Sequence, residues 1–203
     1  MGRCRVPFFE DYAPDAHGTP HRRLVVRPAV SGDVPALAAV ARTRGPQPAP
    51  FDGRLAAWVG DDERRVIVAG LRDERGQADD DRPVAGASGA YADVLVGGAE
   101  RVAGWAMAAR WTGHDDAPDG WYVSWLVVDP SWRRQGVASV LLDDLLTWTS
   151  ARGGALFSLV NAQNRASLDL HVRLGFREIA RAGAFAGVTF TGGAGLLLEA
   201  RTR

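Results

Sequence analysis

The sequence predicts a mixed α/β fold, and three observations carry that reading. Segments rich in β-branched and aromatic residues, such as Trp121 to Val128, alternate with segments of helical periodicity, such as Val137, Val140, Leu141, Leu145 and Trp148. Strand-like segments stand before, between and after the helical ones, as a mixed sheet with helices packed on it requires. Between the two examples, Asp129-Pro130 ends the strand, because proline cannot donate to a ladder and fixes its own φ.

Residues 1–22 mix Pro, Arg, His, Asp and Gly without periodicity and read as an arm ahead of one domain over 23–203. Leu24 to Arg27 is a short strand ended by Pro28. Ser31 reads as the N-cap of a helix with Val34, Leu37, Ala38 and Ala41 on one face, closed by Gly45-Pro46. Pro46, Pro48 and Pro50 require a loop, and Phe51 to Val59 is a second short helix. Val66 to Leu71 is a strand. The stretch 72–99, first charged and then rich in small residues, reads as a hairpin extension or an insertion. Glu100 to Arg110 is a strand and Trp111 to Asp119 a polar loop. After the central strand and helix, Gly153-Gly154 closes the helix and Ala155 to Val160 is a strand. Arg165 to Leu174 is a helix stopped by Gly175. Arg177 to Val188 and Gly195 to Arg201 are the last strands.

The 24 basic and 24 acidic residues cancel, which removes any global pull towards nucleic acid or an anionic membrane. All the basic residues are arginine. Cys4 is the single cysteine, so neither an internal disulfide nor a cysteine zinc site is expected. His17, His21, His114 and His171 lack metal-ligand spacing. No apolar run is long enough to span a bilayer, and no apolar signal-peptide region opens the sequence. A soluble cytoplasmic protein without a metal is the expectation. The glycines of 191–195 precede a strand rather than a helix, which argues against a dinucleotide site.

Arg133-Arg134-Gln135-Gly136-Val137-Ala138 joins the central strand to the central helix. It puts two guanidinium groups, a glycine and a small residue at a helix N-terminus. Such an end has N–H groups without intrahelical partners and a partial positive charge. An anion fits there, since Gly136 and Ala138 let a phosphate approach the backbone. A plain strand-to-helix turn with solvated arginines has the same spacing.

Arg133-X-X-Gly136-X-Ala138, after a strand ending Val-Val-Asp-Pro, resembles the acyl-CoA signature of the GNAT superfamily of N-acetyltransferases. Asn164-Arg-Ala-Ser-Leu-Asp-Leu-His171-Val-Arg-Leu-Gly-Phe176 resembles that family's second element, Asn-X-X-Ala-X-X-Leu-Tyr-X-X-Leu-Gly-Phe. The resemblance extends from Leu24 to about Arg201. It implies a mostly antiparallel central sheet of about six to seven strands, with splayed central strands and about four flanking helices. It implies acetyl-CoA as co-substrate, its pantetheine arm pairing with Leu126, Val127 and Val128. The pyrophosphate would then sit on the amides of Arg134, Gln135, Gly136, Val137, Ala138 and Ser139, beside Arg133, with Asn164 as a further contact. It also implies a backbone amide near Val128 that polarises the thioester carbonyl.

The implied chemistry is direct transfer in a ternary complex: a neutral amine attacks the acetyl thioester and CoA leaves as a thiolate. A lysine-like ammonium has a pKa near ~10.4, so something must take its proton. In the family a tyrosine often protonates the departing sulfur. Here that position holds His171, whose neutral ring keeps one N–H. The expectation is a general acid or a hydrogen-bond donor to sulfur; a histidine that only packs or caps is the alternative. No acid lies between Trp121 and Val128. Asp119, preceding the strand with His114 and Asp116, is the candidate base, and water relayed through Ser124 would serve equally.

Trp121 and Trp125 share one strand face by period two. With Phe51, Ser124 and the Gly45 to Phe51 loop, family architecture puts them near the acceptor mouth. Trp58, Trp105 and Trp148 are expected in the core. The first functional reading is an acetyl-CoA-dependent N-acetyltransferase acting on an amine of a small molecule, peptide or protein N-terminus. The alternative is an acyl-CoA-binding regulatory module with little or no turnover, suggested by the missing tyrosine and the missing base. A reused fold with a vestigial phosphate loop is a third reading, against which the intact Arg133 to Ala138 loop argues. A homodimer is a further expectation; nucleic acid and membrane are not expected as partners.

Overall fold

The computed structural model describes residues 24–72, 95–96 and 100–201. Its strands are β1 (Leu24–Pro28), β2 (Arg64–Arg72), β3 (Leu95–Val96), β4 (Glu100–Trp111), β5 (Gly120–Val128), β6 (Leu156–Asn161), β7 (Arg177–Ala182), β8 (Ala184–Phe185), β9 (Val188–Thr189) and β10 (Gly195–Ala200). The helices are α1 (Val34–Arg42), α2 (Phe51–Val59), α3 (Val137–Ser150) and α4 (Arg165–Arg173). Seven strands line up in the order β1-β2-β4-β5-β6-β10-β7, with β3 beside the start of β4. Neighbours are antiparallel except β5 and β6, which the α3 crossover makes parallel. This mixed sheet with four helices is the GNAT-like α/β fold that the resemblance implied. The arm over 1–22 and nearly all of 72–99 lie outside the described residues.

Helices cover both faces of the sheet, so its central strand is apolar on both sides. Ala103, Ala106 and Ala108 of β4 join α3 and the Leu170 end of α4 in one core. Val102, Trp105, Met107 and Ala109 of the same strand join α1 and α2 in another. The alanines let α3 come close. At Gly104 the approach is closer still: a Cβ there would lie 2.8 Å from the Val127 carbonyl oxygen and 3.1 Å from Val137 Cγ1. A glycine in β4 thus seats the first residue of α3 on the sheet.

Two local expectations are corrected. Ser31 does not cap α1; it opens a single 3₁₀ turn, Ser31–Asp33, ahead of the helix. Asp33 holds that turn from the inside: its Oδ2 accepts from Val30 N at 2.7 Å and from Arg27 Nη1 at 2.7 Å, and its Oδ1 accepts from Arg27 Nη2 at 2.9 Å. The final stretch is also more broken than a pair of long strands. After β7 the chain turns into the small β8–β9 hairpin, whose Phe185 and nearby Phe190 pack on Tyr122 and Phe157.

Asp33 is fully buried. Burial alone would raise its pKa, but the hydrogen bonds from Arg27 and Val30, with the Arg27 charge, hold it below the usual carboxylate value. A depressed folded-state pKa adds stability that is complete above the unfolded value near ~3.9 and is lost as pH falls through the folded one. Asp33→Asn is expected to cost about 3 kcal/mol at neutral pH, because it leaves Arg27 beside a neutral amide. In a thermal melt that corresponds to a Tm lower by roughly 8 °C. The deficit should begin to shrink below about pH 4, where Asp33 of the unfolded chain takes up its proton, and vanish as pH falls through the lower folded value.

Candidate active site

β5 and β6 pair only over Trp121 to Val123, against Leu156 to Ser158. Beyond that point β6 continues against β10, while β5 stays with β4. The cause lies in β5. Met107 faces Trp125 and Ala108 faces Val123, so Ser124 is an extra residue, a β-bulge that bends and twists its strand. The Ser124 hydroxyl is fixed at this bend, accepting from Trp111 Nε1 at 3.2 Å and donating to the Tyr122 carbonyl oxygen at 3.3 Å. Ser124 to Val128 therefore has a strand on its β4 side and an opening towards β6. An extended chain can add itself to such an edge through main-chain hydrogen bonds.

That edge runs into the N-terminus of α3. The Asp129 carboxylate accepts from Ser131 N at 2.9 Å and shapes the tight turn Pro130–Trp132. Gln135 Nε2 donates to the Ser131 carbonyl oxygen at 3.1 Å, and Arg133 Nε reaches back to the Val128 carbonyl oxygen at 3.4 Å. Arg134 and Gly136 both take left-handed backbone conformations, with φ of 59° and 74°. The helix's first i→i−4 bond runs from Val140 N to Gly136 O, at 3.1 Å. The amides of Val137, Ala138 and Ser139 therefore precede the helical ladder and carry the positive end of the dipole. An open strand edge of five residues leading to a helix N-terminus fits a pantetheine arm and its pyrophosphate. The edge that carries Leu126, Val127 and Val128 runs directly into the segment 133–139 at the start of α3.

Asn164 caps α4, its side-chain oxygen accepting from Ser167 N at 3.2 Å. That oxygen is committed, and only the amide nitrogen is left to donate elsewhere. His171 lies on the same helix and is 2% exposed. Its Nδ1 sits 2.7 Å from the Ser167 carbonyl oxygen, which can only accept, so this nitrogen carries the ring proton. Nε2 is buried with no hydrogen-bond partner among the described residues. Burial pushes the ring's pKa down, with the Ser167 bond opposing it more weakly. Neutral His171 therefore presents a lone pair, not a proton, at Nε2. The acid expected from the sequence would need a second proton on a buried ring.

The candidate base is placed elsewhere. Asp119 Oδ1 accepts from Gly113 N at 2.8 Å and closes the β4–β5 turn, at the opposite end of β5 from Val128. Asp116 Oδ1 accepts from Ala186 N at 2.9 Å and ties that turn to the β8–β9 hairpin. Burial first, then the charges of Asp119 and Asp116, raise the Tyr122 pKa to about 12. Its hydroxyl stays protonated and donates to the Pro118 carbonyl oxygen at 2.7 Å.

The bulge also separates the two tryptophans expected on one face. Trp121 packs edge-on against Trp148 of α3, with ring centroids 4.7 Å apart. Trp125 turns to the other face, 5.2 Å from Trp105, 5.6 Å from Phe51 and 6.1 Å from Trp58. Trp121 is thus removed from the expected acceptor mouth, and Phe51 is a buried wall behind Trp125. An open cleft of about 290 Å³ remains, lined by Arg44, Gln47, Ser124 and Trp125. Arg44 and Gln47 had no assigned role in the sequence. The prolines mark their loop, but an arginine just past α1 looks like any cation at a helix C-terminus. Among the described residues, no group of three or more His, Cys, Asp or Glu could hold a metal ion, and no helix is long and apolar enough to cross a membrane.

Solved structures share this architecture. Arabidopsis thaliana NAA60 in complex with acetyl-CoA superposes with a TM-score of 0.60 at 18% identity, covering 88% of this chain and 99% of that one. The ribosomal-protein-alanine N-acetyltransferase of Brucella melitensis gives 0.61 at 19%, covering 88% and 99%. The ribosomal-protein-S18-alanine N-acetyltransferase of Escherichia coli gives 0.56 at 18%, covering 87% and 92%. At these identities the likeness shows the fold alone. No curated protein sequence matches the chain. The family model for the acetyltransferase (GNAT) family matches residues 43–176, a span from the cleft loop through the splayed strands to the end of the His171 motif. The chain belongs to the GNAT family of acetyltransferases.

Proposed function

We propose that this protein is an N-acetyltransferase that moves an acetyl group from acetyl-CoA to a small amine held in the Arg44–Trp125 cleft. One observation carries the reading: the open edge of β5 has the α3 N-terminus at one end and the cleft at the other. Acetyl-CoA, when bound, supplies the acetyl group as an activated thioester. The chain's contribution is mainly orientation, since Leu126 to Val128 and the α3 amides fix one substrate beside the other. Ser124 and Trp125 belong to both the strand edge and the cleft, so the two ligands meet there. No carboxylate lines the cleft among the described residues. The amine's proton therefore passes to water, which the Ser124 hydroxyl, the one hydroxyl lining the cleft among the described residues, can hold through its remaining lone pair.

In this reading His171 positions rather than protonates. Its neutral ring stays buried, and its depressed pKa makes the folded state lose stability as pH falls below the unfolded value near ~6.5. His171→Phe is expected to keep kcat within about threefold at pH 7.5 and to leave the pH–rate profile without a lost limb. The same variant should lose part of the wild-type fall in Tm between about pH 6.5 and 5, a window above that of Asp33. A kcat lowered about a hundredfold with one limb abolished would restore the acid.

The absence of a carboxylate or histidine from the cleft among the described residues also favours a second reading, an acyl-CoA-binding module with little turnover. Calorimetric titration with acetyl-CoA, followed by a thiol-release assay over an amine panel, separates the two. Binding with amine-dependent thiol release supports the transferase. Binding without release from any amine leaves the module, and no binding by folded protein removes both.

A further inference from the structure

We propose that Arg44 recognises an anionic group, a carboxylate or a phosphonate, on the amine acceptor. This rests on the acetyltransferase reading and names the substrate class of the same site.

Arg44 is an exposed arginine at the mouth of the cleft. Arg27, Arg42, Arg64, Arg65, Arg173, Arg181 and Arg201 each have a carboxylate within ion-pairing distance, Arg42 pairing with Asp52 just across the loop. Arg44 has none among the described residues and turns to the cleft instead. The charge nearest to it in effect is that of Arg133, which has the same sign. Partial desolvation first and the Arg133 charge second push its pKa down, while the residue as a whole is exposed to solvent. A guanidinium stays charged under such conditions, so an anion entering the cleft meets a positive charge that has no carboxylate partner among the described residues. The planar fork matches a carboxylate or phosphonate through two parallel hydrogen bonds.

The loop that carries Arg44 is held in place. Thr43 Oγ1 donates to the Val40 carbonyl oxygen at 2.7 Å. Gln47 Nε2 donates to the carbonyl oxygens of Ala41 and Gly45, at 3.2 and 3.1 Å. Arg54 Nη2 donates to the Pro48 carbonyl oxygen at 2.9 Å. Little ordering remains to be done when a ligand arrives. The cleft, at about 290 Å³, lies at the small end of ligand pockets and has one flat apolar wall in Trp125. An amine of amino-acid size carrying one anionic group fits its volume and its charge.

The pyrophosphate of acetyl-CoA is the other anion Arg44 could serve. Arg44 lines the cleft with Ser124 and Trp125, while the neighbouring Arg133 reaches back to the Val128 carbonyl oxygen, so the acetyl-CoA Kd of each variant decides between the two anions. The test compares amines with and without the anion. Thiol release is measured for wild type, Arg44→Ala and Arg44→Lys with α-amino acids, aminoalkylphosphonates and the decarboxylated amines of the same amino acids. Calorimetry gives the acetyl-CoA Kd of each variant. Wild type is expected to prefer anionic amines, and Arg44→Ala to collapse the anionic-to-neutral ratio of kcat/KM about a hundredfold. Taking the ratio removes differences in amine basicity. Arg44→Lys should restore about a tenth of the preference, since it returns the charge without the fork. The acetyl-CoA Kd should move less than twofold.

A ratio unchanged by Arg44→Ala overturns the proposal. So does a cofactor Kd raised in step with it, which would give Arg44 to the pyrophosphate. Protein that binds acetyl-CoA but turns over only neutral amines, or none of the panel, overturns it as well. Protein that is folded and fails to bind acetyl-CoA fails the acetyltransferase reading first, an outcome that the titration shows separately.

Discussion

Gly136→Asp will bind acetyl-CoA about 150-fold more weakly than Gly136→Asn. Gly136 stands at the N-cap of α3 with φ of 74° and ψ of 0°, in the left-handed region. Asparagine and aspartate tolerate that region better than other side chains and are nearly the same size. Comparing the two variants with each other, rather than with glycine, cancels backbone strain and bulk and leaves the charge. A carboxylate about 5 Å from one phosphate charge, at an effective dielectric of about 20, opposes binding by about 3 kcal/mol. Each 1.4 kcal/mol is about tenfold, which gives the ratio. Calorimetric titration of both proteins checks it, with the melting curves confirming that both are folded. Equal affinities would mean that the pyrophosphate does not sit on the α3 amides, and the groove assignment would fall with it.

The loop behind this expectation was readable in the sequence because everything that makes it is local. A period-two apolar run, an Asp-Pro stop, a glycine at the turn and a period-3.6 run specify a strand, a cap and a helix within twenty or so residues. The structure places them as read. Features that depend on distant partners were not readable in this way. Trp125 leaves the face of Trp121 because Ser124 bulges, and a bulge exists only in the pairing of β5 with β4. Asp119 looked like a base because it precedes the central strand, but its partner is an amide across the hairpin turn. His171 was placed correctly on its helix. Its chemistry was decided by burial and by the Ser167 carbonyl, and only the second of these could be anticipated from an i−4 spacing. Arg44 became visible only when the fold brought its loop to the end of the splay.

Trp105→Ala is the substitution expected to cost the most stability, and it also tests where the acceptor binds. Trp105 is fully buried between β4 and α1, and its Nε1 donates to the Leu37 carbonyl oxygen at 2.9 Å. Truncating such a side chain removes its apolar burial and leaves a cavity, for about 4 kcal/mol, with the unpaired Leu37 oxygen contributing to that cost. For a chain of this length the Tm should fall by roughly 12 °C. The ring also backs Trp125, stacking on it at 5.2 Å and 20°. Without that support Trp125 can tilt away from the cleft, because Phe51 and Trp58 touch it at other angles, 49° and 43°. Below the lowered Tm, KM for the acceptor should therefore rise several-fold, while the acetyl-CoA Kd stays within about twofold, since the β5 edge and the α3 amides are untouched. A rise in both constants would point to loss of the whole splay. An unchanged acceptor KM in a protein that has lost the stability would mean that Trp125 does not wall the acceptor, and the amine would have to approach the strand edge from the α3 side of the sheet.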